Sequence, residues 1–203
     1  MIKKIAARLV KWMKKKEVIN LGEEKVYQYG LEILISTGIN VIATLIIGAI
    51  FRKVVQTIFF LLVFTQVRKN IGGYHATTYF RCISFFLIGY TVLLVYVYVF
   101  NVDKVGMTEL FFWALSSLII YRITPVVDIN NEMEDDMIPL YRKKGLINYY
   151  ITSIILLGLY FIYGDFHQFI LFGIIALNAV SFVGLIGAIV NKRRKKYDKY
   201  CNL

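Results

Sequence analysis

Two cysteines, two prolines and two histidines in 203 residues exclude several kinds of protein at the outset. Cys82 and Cys201 sit in very different surroundings and cannot make a disulfide framework or a paired Cys-x-x-Cys metal site. Charged residues make up only 18%, whereas apolar ones reach 58% and the mean hydropathy is +0.62. A soluble core of this size cannot hide that much apolar surface, but a bilayer does not require it to. Acids are also scarce, at 13 against 24 Lys and Arg, for a net charge of +11. The bases stand at the ends of apolar runs and not on an aromatic-rich polar surface. That placement fits anionic lipid headgroups better than nucleic acid, so no nucleic-acid partner is expected. There is no internal repeat and no low-complexity linker, so residues 1–203 read as a single domain.

The apolar residues fall into runs. Over residues 1–20, Ile2, Ile5, Ala6, Leu9, Trp12 and Met13 share one helical face, and Lys3, Lys4, Arg8, Lys11, Lys14 and Lys15 lie elsewhere. That is the pattern of an amphipathic helix lying in the membrane interface. No uninterrupted apolar stretch follows these charges, which argues against a signal peptide. Beyond it, 33–51, 82–102, 145–164 and 166–191 are each long enough to cross about 30 Å of hydrocarbon. Two further runs, 54–67 and 110–121, are short by that criterion and are expected to be tilted, shielded by neighbours or not fully spanning.

Charge favours six spans over four. With six spans and both termini inside, 21 Lys and Arg lie on the inner side, and only Arg52, Lys53 and Lys104 lie outside. The positive-inside rule selects this topology. The expected fold is therefore all-α: a polytopic membrane protein with six transmembrane helices and an N-terminal interfacial helix.

Segment 66–82 is the one place that looks built for chemistry. It reads Gln-Val-Arg68-Lys69-Asn-Ile-Gly72-Gly73-Tyr-His75-Ala-Thr-Thr-Tyr-Phe-Arg81-Cys82. A cysteine attacks as its thiolate, a form that neighbouring cations favour. A histidine can take the thiol proton and return it to a leaving amine, typically worth ~10²–10⁴-fold. Cys82 and His75 are the two parts that cysteine acyl transfer needs. Seven residues of unbroken helix would separate them by about 10.5 Å along the axis, too far for a direct bond. A working pair therefore requires a break, which Gly72-Gly73 supplies, with Thr77 or Thr78 capping a new helix. On the pairing alone, inert packing for Cys82 and an ordinary interfacial role for His75 remain open.

At these residues the sequence resembles the accessory gene regulator B (AgrB) family, membrane endopeptidases that process precursors of cyclic autoinducing peptides in Gram-positive bacteria. The family hallmark is an Arg, then Gly-x-His, then a Cys seven residues after the His. Arg68, Gly73, His75 and Cys82 occupy those places. Tyr29-Gly30-Leu31-Glu32, Thr124-Pro125-Val126 and Pro139-Leu140 resemble weaker flanking elements. The chain departs from the family in its acidic stretch. Where relatives tend to carry basic residues between the two prolines, this chain has Asp128, Glu132, Glu134, Asp135 and Asp136, and Arg142-Lys143-Lys144 comes after. These acids lack calcium-loop spacing and have no His or Cys among them, so they are read as a solvated connection, and neither metal nor cofactor is expected.

The resemblance implies a thiol protease of the bacterial plasma membrane, multi-pass, with the catalytic segment and both termini cytoplasmic. Its substrate would be an AgrD-like propeptide. The enzyme would cleave the C-terminal tail through a Cys82 thioester and promote closure to a thiolactone or lactone ring for quorum sensing. His75 and Cys82 would be catalytic, with Arg68, Gly73, Arg81 and Glu32 supporting or binding substrate, and the chain would form a homodimer. The competing expectation is a small membrane transporter or scaffold with no proteolytic activity. It would use Glu32, Arg122 and the short spans as a polar pathway and His75 and Cys82 as packing.

Overall fold

A computed structural model describes residues 1–20, 22–73, 78–126, 136–162 and 167–201, with side chains as far as Lys192. Among these residues there are seven helices and no strand: α1 (Ile2–Lys15), α2 (Glu24–Ile50), α3 (Val54–Ile71), α4 (Tyr79–Val99), α5 (Met107–Ile123), α6 (Ile138–Ile162) and α7 (His167–Cys201). Four of them, α2, α4, α6 and the stretch His167–Lys192 of α7, are long and apolar enough to cross a membrane. The chain is a membrane protein, and six crossings remain an expectation resting on charge.

α7 forms the centre. Ile170, Leu171, Phe172, Ile174, Ile175, Ala176 and Leu177 are all buried, so this helix is enclosed on every side. α3 and α5 both pack along it, and α3 also touches α6 and α2. The two weak apolar runs are therefore shielded ones. α3 needs fewer apolar residues because Phe60, Leu61, Val63, Phe64 and Val67 meet protein and not lipid.

α2 shows the converse. Its only buried residues are Glu32, Thr44 and Gly48, and Leu34, Ile42, Ile46 and Ile50 point outward. Lipid is as apolar as leucine, so close packing falls to small and polar side chains. The Thr44 hydroxyl donates to Asn40 O at 2.7 Å. Gly48 makes room for Thr57, whose hydroxyl is 2.6 Å from that of Tyr90.

Cross-helix contacts fix the directions. At one end Gln66 of α3 meets Asn148 of α6, and Glu32 of α2 meets Tyr79 of α4. At the other, Gln168 of α7 accepts from Lys53 at 2.9 Å and donates to Asp103 at 3.0 Å, and Tyr160 of α6 donates to Val105 O at 3.1 Å. Helices α2 to α7 thus alternate up and down, and the basic connections gather at the first end.

The N-terminal helix runs Ile2–Lys15 and packs on α2 through Ala6 and Val10. Its second apolar edge, Ile5, Leu9 and Trp12, stays exposed beside the lysines. α2 itself begins at Glu24, nine residues before the expected run, so Tyr29 to Glu32 belong to its first turns. Gly184 of α7 packs against Ile123 of α5.

Candidate functional site

α3 ends at Ile71 because Gly72 adopts φ +80°, a conformation closed to ordinary side chains. The chain then crosses the segment after α5. Gly72 and Val126 form an isolated parallel bridge, and the Val126 N–H donates to Ile71 O at 2.8 Å. A Cβ on Gly72 would stand 2.4 Å from Val126 O, so the bridge needs glycine. α6 closes the same corner: Gly145 lies against the Thr124 methyl and Asn70 O. The elements around Thr124-Pro125-Val126 and the start of α6 thus seat the Gly-Gly turn, although they are 50 to 70 residues distant in sequence.

Gly73, also at positive φ (+152°), packs on the guanidinium of Arg68, and an added Cβ would sit 3.5 Å from its Cζ and 3.3 Å from Val183. Arg68 is half-buried, stacked over the Phe64 ring at 5.6 Å, and close enough to Cys82 to interact with it electrostatically. An arginine whose stem is packed in this way holds its charge in one place.

The second helix begins at Thr78, which is extended (φ −136°, ψ 146°) and caps α4 by accepting from the Arg81 N–H at 3.3 Å. Serine and threonine suit this position because their oxygen satisfies an N–H that the first turn leaves free. The Cys82 N–H makes the helix's early bond to Thr78 O at 3.1 Å. Cys82 is a free, half-buried thiol at the positive end of the α4 dipole, where anions are favoured. The helix is therefore broken between Gly72 and Thr78, as a Cys–His pair seven residues apart requires.

Of the other candidates, Arg81 is exposed on the first turn of α4. Glu32 is buried (6% exposed), accepting from Gln28 at 2.9 Å and from the Tyr79 hydroxyl at 2.9 Å. His75 lies outside the described residues, as do Asp128, Glu132, Glu134 and Asp135. Asp136 is described and exposed. Among the described residues no group of His, Cys, Asp or Glu side chains is placed to hold a metal. His167, at the opposite end, packs edge-on to Tyr160 at 4.7 Å.

Two buried carboxylate contacts fall outside the motifs, one at the site and one at the opposite end of the bundle. Tyr79 carries no motif, and its link to Glu32 joins positions 47 apart. Glu109, 5% exposed, accepts from Tyr96 at 2.7 Å and from the Gly106 N–H at 2.8 Å. A glutamate three residues after a helix start is a known capping signal and was available to be read.

Residues 2–184 match the profile of a family described as Accessory gene regulator B. A protein of Clostridium perfringens (strain 13 / Type A), Putative AgrB-like protein 2, is 25% identical over 127 residues, covering 60% of this chain. The alignment spans 59% of that relative's length. No solved structure matches.

Proposed function

Since the chain belongs to the accessory gene regulator B family, we propose that it is a membrane cysteine endopeptidase that processes an AgrD-like propeptide for quorum sensing. The observation that supports the reading is the helix break before Cys82: Gly72 and Gly73 stand at positive φ where α3 ends, and Thr78 caps α4 four residues before the thiol. His75 lies in sequence between Gly72, which ends α3, and Thr78, which caps α4.

The chemistry balances with these groups alone. His75 takes the thiol proton, and the Cys82 sulfur attacks a peptide carbonyl carbon. The C–N bond breaks, His75 passes its proton to the departing amine, and the C-terminal tail leaves. The peptidyl thioester is then attacked by a Cys or Ser within the peptide: the new acyl bond closes the ring as the bond to the Cys82 sulfur breaks, and the nucleophile's proton passes through His75 to that sulfur. An internal nucleophile gains from its high effective concentration, and shielding from water suppresses hydrolysis. Arg68 and Arg81 hold the acidic tail. Six crossings put this end of the bundle in the cytoplasm, and α1 rests on anionic lipid with Ile5, Leu9 and Trp12 in the interface.

The test is co-expression with a precursor. Release of the tail is expected from wild type and not from Cys82→Ala or His75→Ala. Tail release that is absent from wild type, or indifferent to both substitutions, favours a transporter or scaffold and ends the enzyme reading.

A further inference from the structure

The geometry points to Tyr79 as a positioning residue that fixes the catalytic turn of α4 to α2 through Glu32, an inference that rests on the proposed role of Cys82. Tyr79 is the first residue of α4 and Cys82 is three further on, so the two share a face about 4.5 Å apart along the axis. The first turn of a helix frays unless something holds it. The Thr78 cap is local: it bonds Arg81 of the same turn and does not tie that turn to the rest of the bundle. The Tyr79 hydroxyl supplies the tie, donating to Glu32 Oε2 at 2.9 Å across two helices.

Glu32 is well placed for this. It is 6% exposed, and its other oxygen accepts from Gln28 at 2.9 Å, so both ends of the carboxyl group are engaged. A buried polar side chain of this kind has few alternative arrangements, and leaving it half-satisfied is costly. Gly72 and Gly73, both at positive φ, end the α3 side of the connection, and α4 starts afresh at Thr78. Arg68 and Gly73 stand on the α3 side of that connection. The Tyr79–Glu32 bond therefore sets where the Cys82 sulfur stands relative to the charge of Arg68. Tyr79 touches neither substrate nor reacting atoms in this role.

A displacement of about 1 Å from a productive geometry can cost on the order of 10²-fold. Tyr79→Phe keeps the ring and removes only the hydroxyl. It is expected to lower kcat for tail release by about ten- to a hundredfold, with KM within about twofold of wild type. Unliganded Cys82 should also be alkylated by iodoacetamide at an altered rate. Glu32→Ala should act on the same bond, so the double variant should lose no more than the worse single one. If Tyr79→Phe does not accumulate in membranes, Glu32→Ala carries the same measurement from the α2 side.

Wild-type kcat in Tyr79→Phe, or losses that multiply in the double variant, would overturn the inference. So would a fall in thermal stability with kcat intact, which is all that a purely structural bond predicts. Cys82→Ala, run in parallel, separates the two levels. If Cys82→Ala still releases the tail, the enzyme reading fails. If Cys82 is required and Tyr79→Phe is indifferent, only the positioning role fails.

Discussion

Val126 donates its backbone N–H to Ile71, 55 residues earlier, and presses its own carbonyl against Gly72. One stretch of backbone thereby ends α3, starts the turn that leads to Cys82, and holds both to the end of α5. A side chain at Gly72 would meet a backbone oxygen, which cannot rotate aside, at a φ of +80° that is unfavourable in itself. Backbone strain of that kind costs on the order of 1–3 kcal/mol. Gly72→Ala should lower the unfolding temperature in detergent by several degrees and abolish tail release. An unchanged melting curve would show that the bridge does not hold the corner.

Arg68 offers a sharper test of the electrostatics. Arg68 interacts electrostatically with Cys82, and a neighbouring cation favours the thiolate. Arg68→Ala should therefore slow alkylation of Cys82 by about a few-fold, the scale of one partly screened charge. Arg68→Lys should restore part of that rate, because lysine keeps the charge but loses the guanidinium that lies over Phe64. Arg81 is exposed, so Arg81→Ala should change the rate by less than about threefold. Equal effects at the two arginines would mean that general basicity, and not the seated guanidinium, matters.

Much of this arrangement was readable in advance. A working pair of His75 and Cys82 requires a break in the helix because of its rise per residue, and the structure ends α3 at Gly72 and caps α4 at Thr78, two of the residues the sequence marks for it. The ranking of helices was not readable. α7 and α2 are both strongly apolar, yet one is the centre of the bundle and the other faces outward. Hydropathy cannot separate them, because lipid and a leucine core present the same environment. What distinguishes α2 is the four-residue spacing of Glu32, Ser36, Asn40, Thr44 and Gly48, which traces one inward face. α3 and α5 looked marginal as spans because they lean on α7. Tyr79 was invisible because its partner is on another helix.

That inward face of α2 gives a paired prediction. A Cβ on Gly48 would lie 2.2 Å from Thr57 Oγ1 and 2.9 Å from Thr57 Cβ, and Thr57 is held by Tyr90. Gly38, ten residues earlier, has nothing within 4 Å. Overpacking at the first position should cost about 1–3 kcal/mol. At the second, alanine should be neutral or add up to about 1 kcal/mol through helix propensity. Thermal unfolding of Gly48→Ala and Gly38→Ala in the same detergent checks this, and shifts of the same sign would contradict the packing.

The number of crossings is decided by where the charges sit. If α3 and α5 cross, Lys104 is outside and Lys69 is inside. If only the four long apolar helices cross, both assignments reverse. In a background of Cys82→Ala with Cys201→Ala, single Lys104→Cys and Lys69→Cys variants can be treated in intact cells with a membrane-impermeant maleimide. The distribution of 21 basic residues against three predicts labelling at 104 and protection at 69 until the cells are permeabilised. α3 runs beside α7, with Lys53 and Gln168 meeting at one end and Gly73 and Val183 at the other, and α5 also packs along α7. Labelling at 69 with protection at 104 would put the catalytic segment outside the cell, where a cytoplasmic precursor could not reach it.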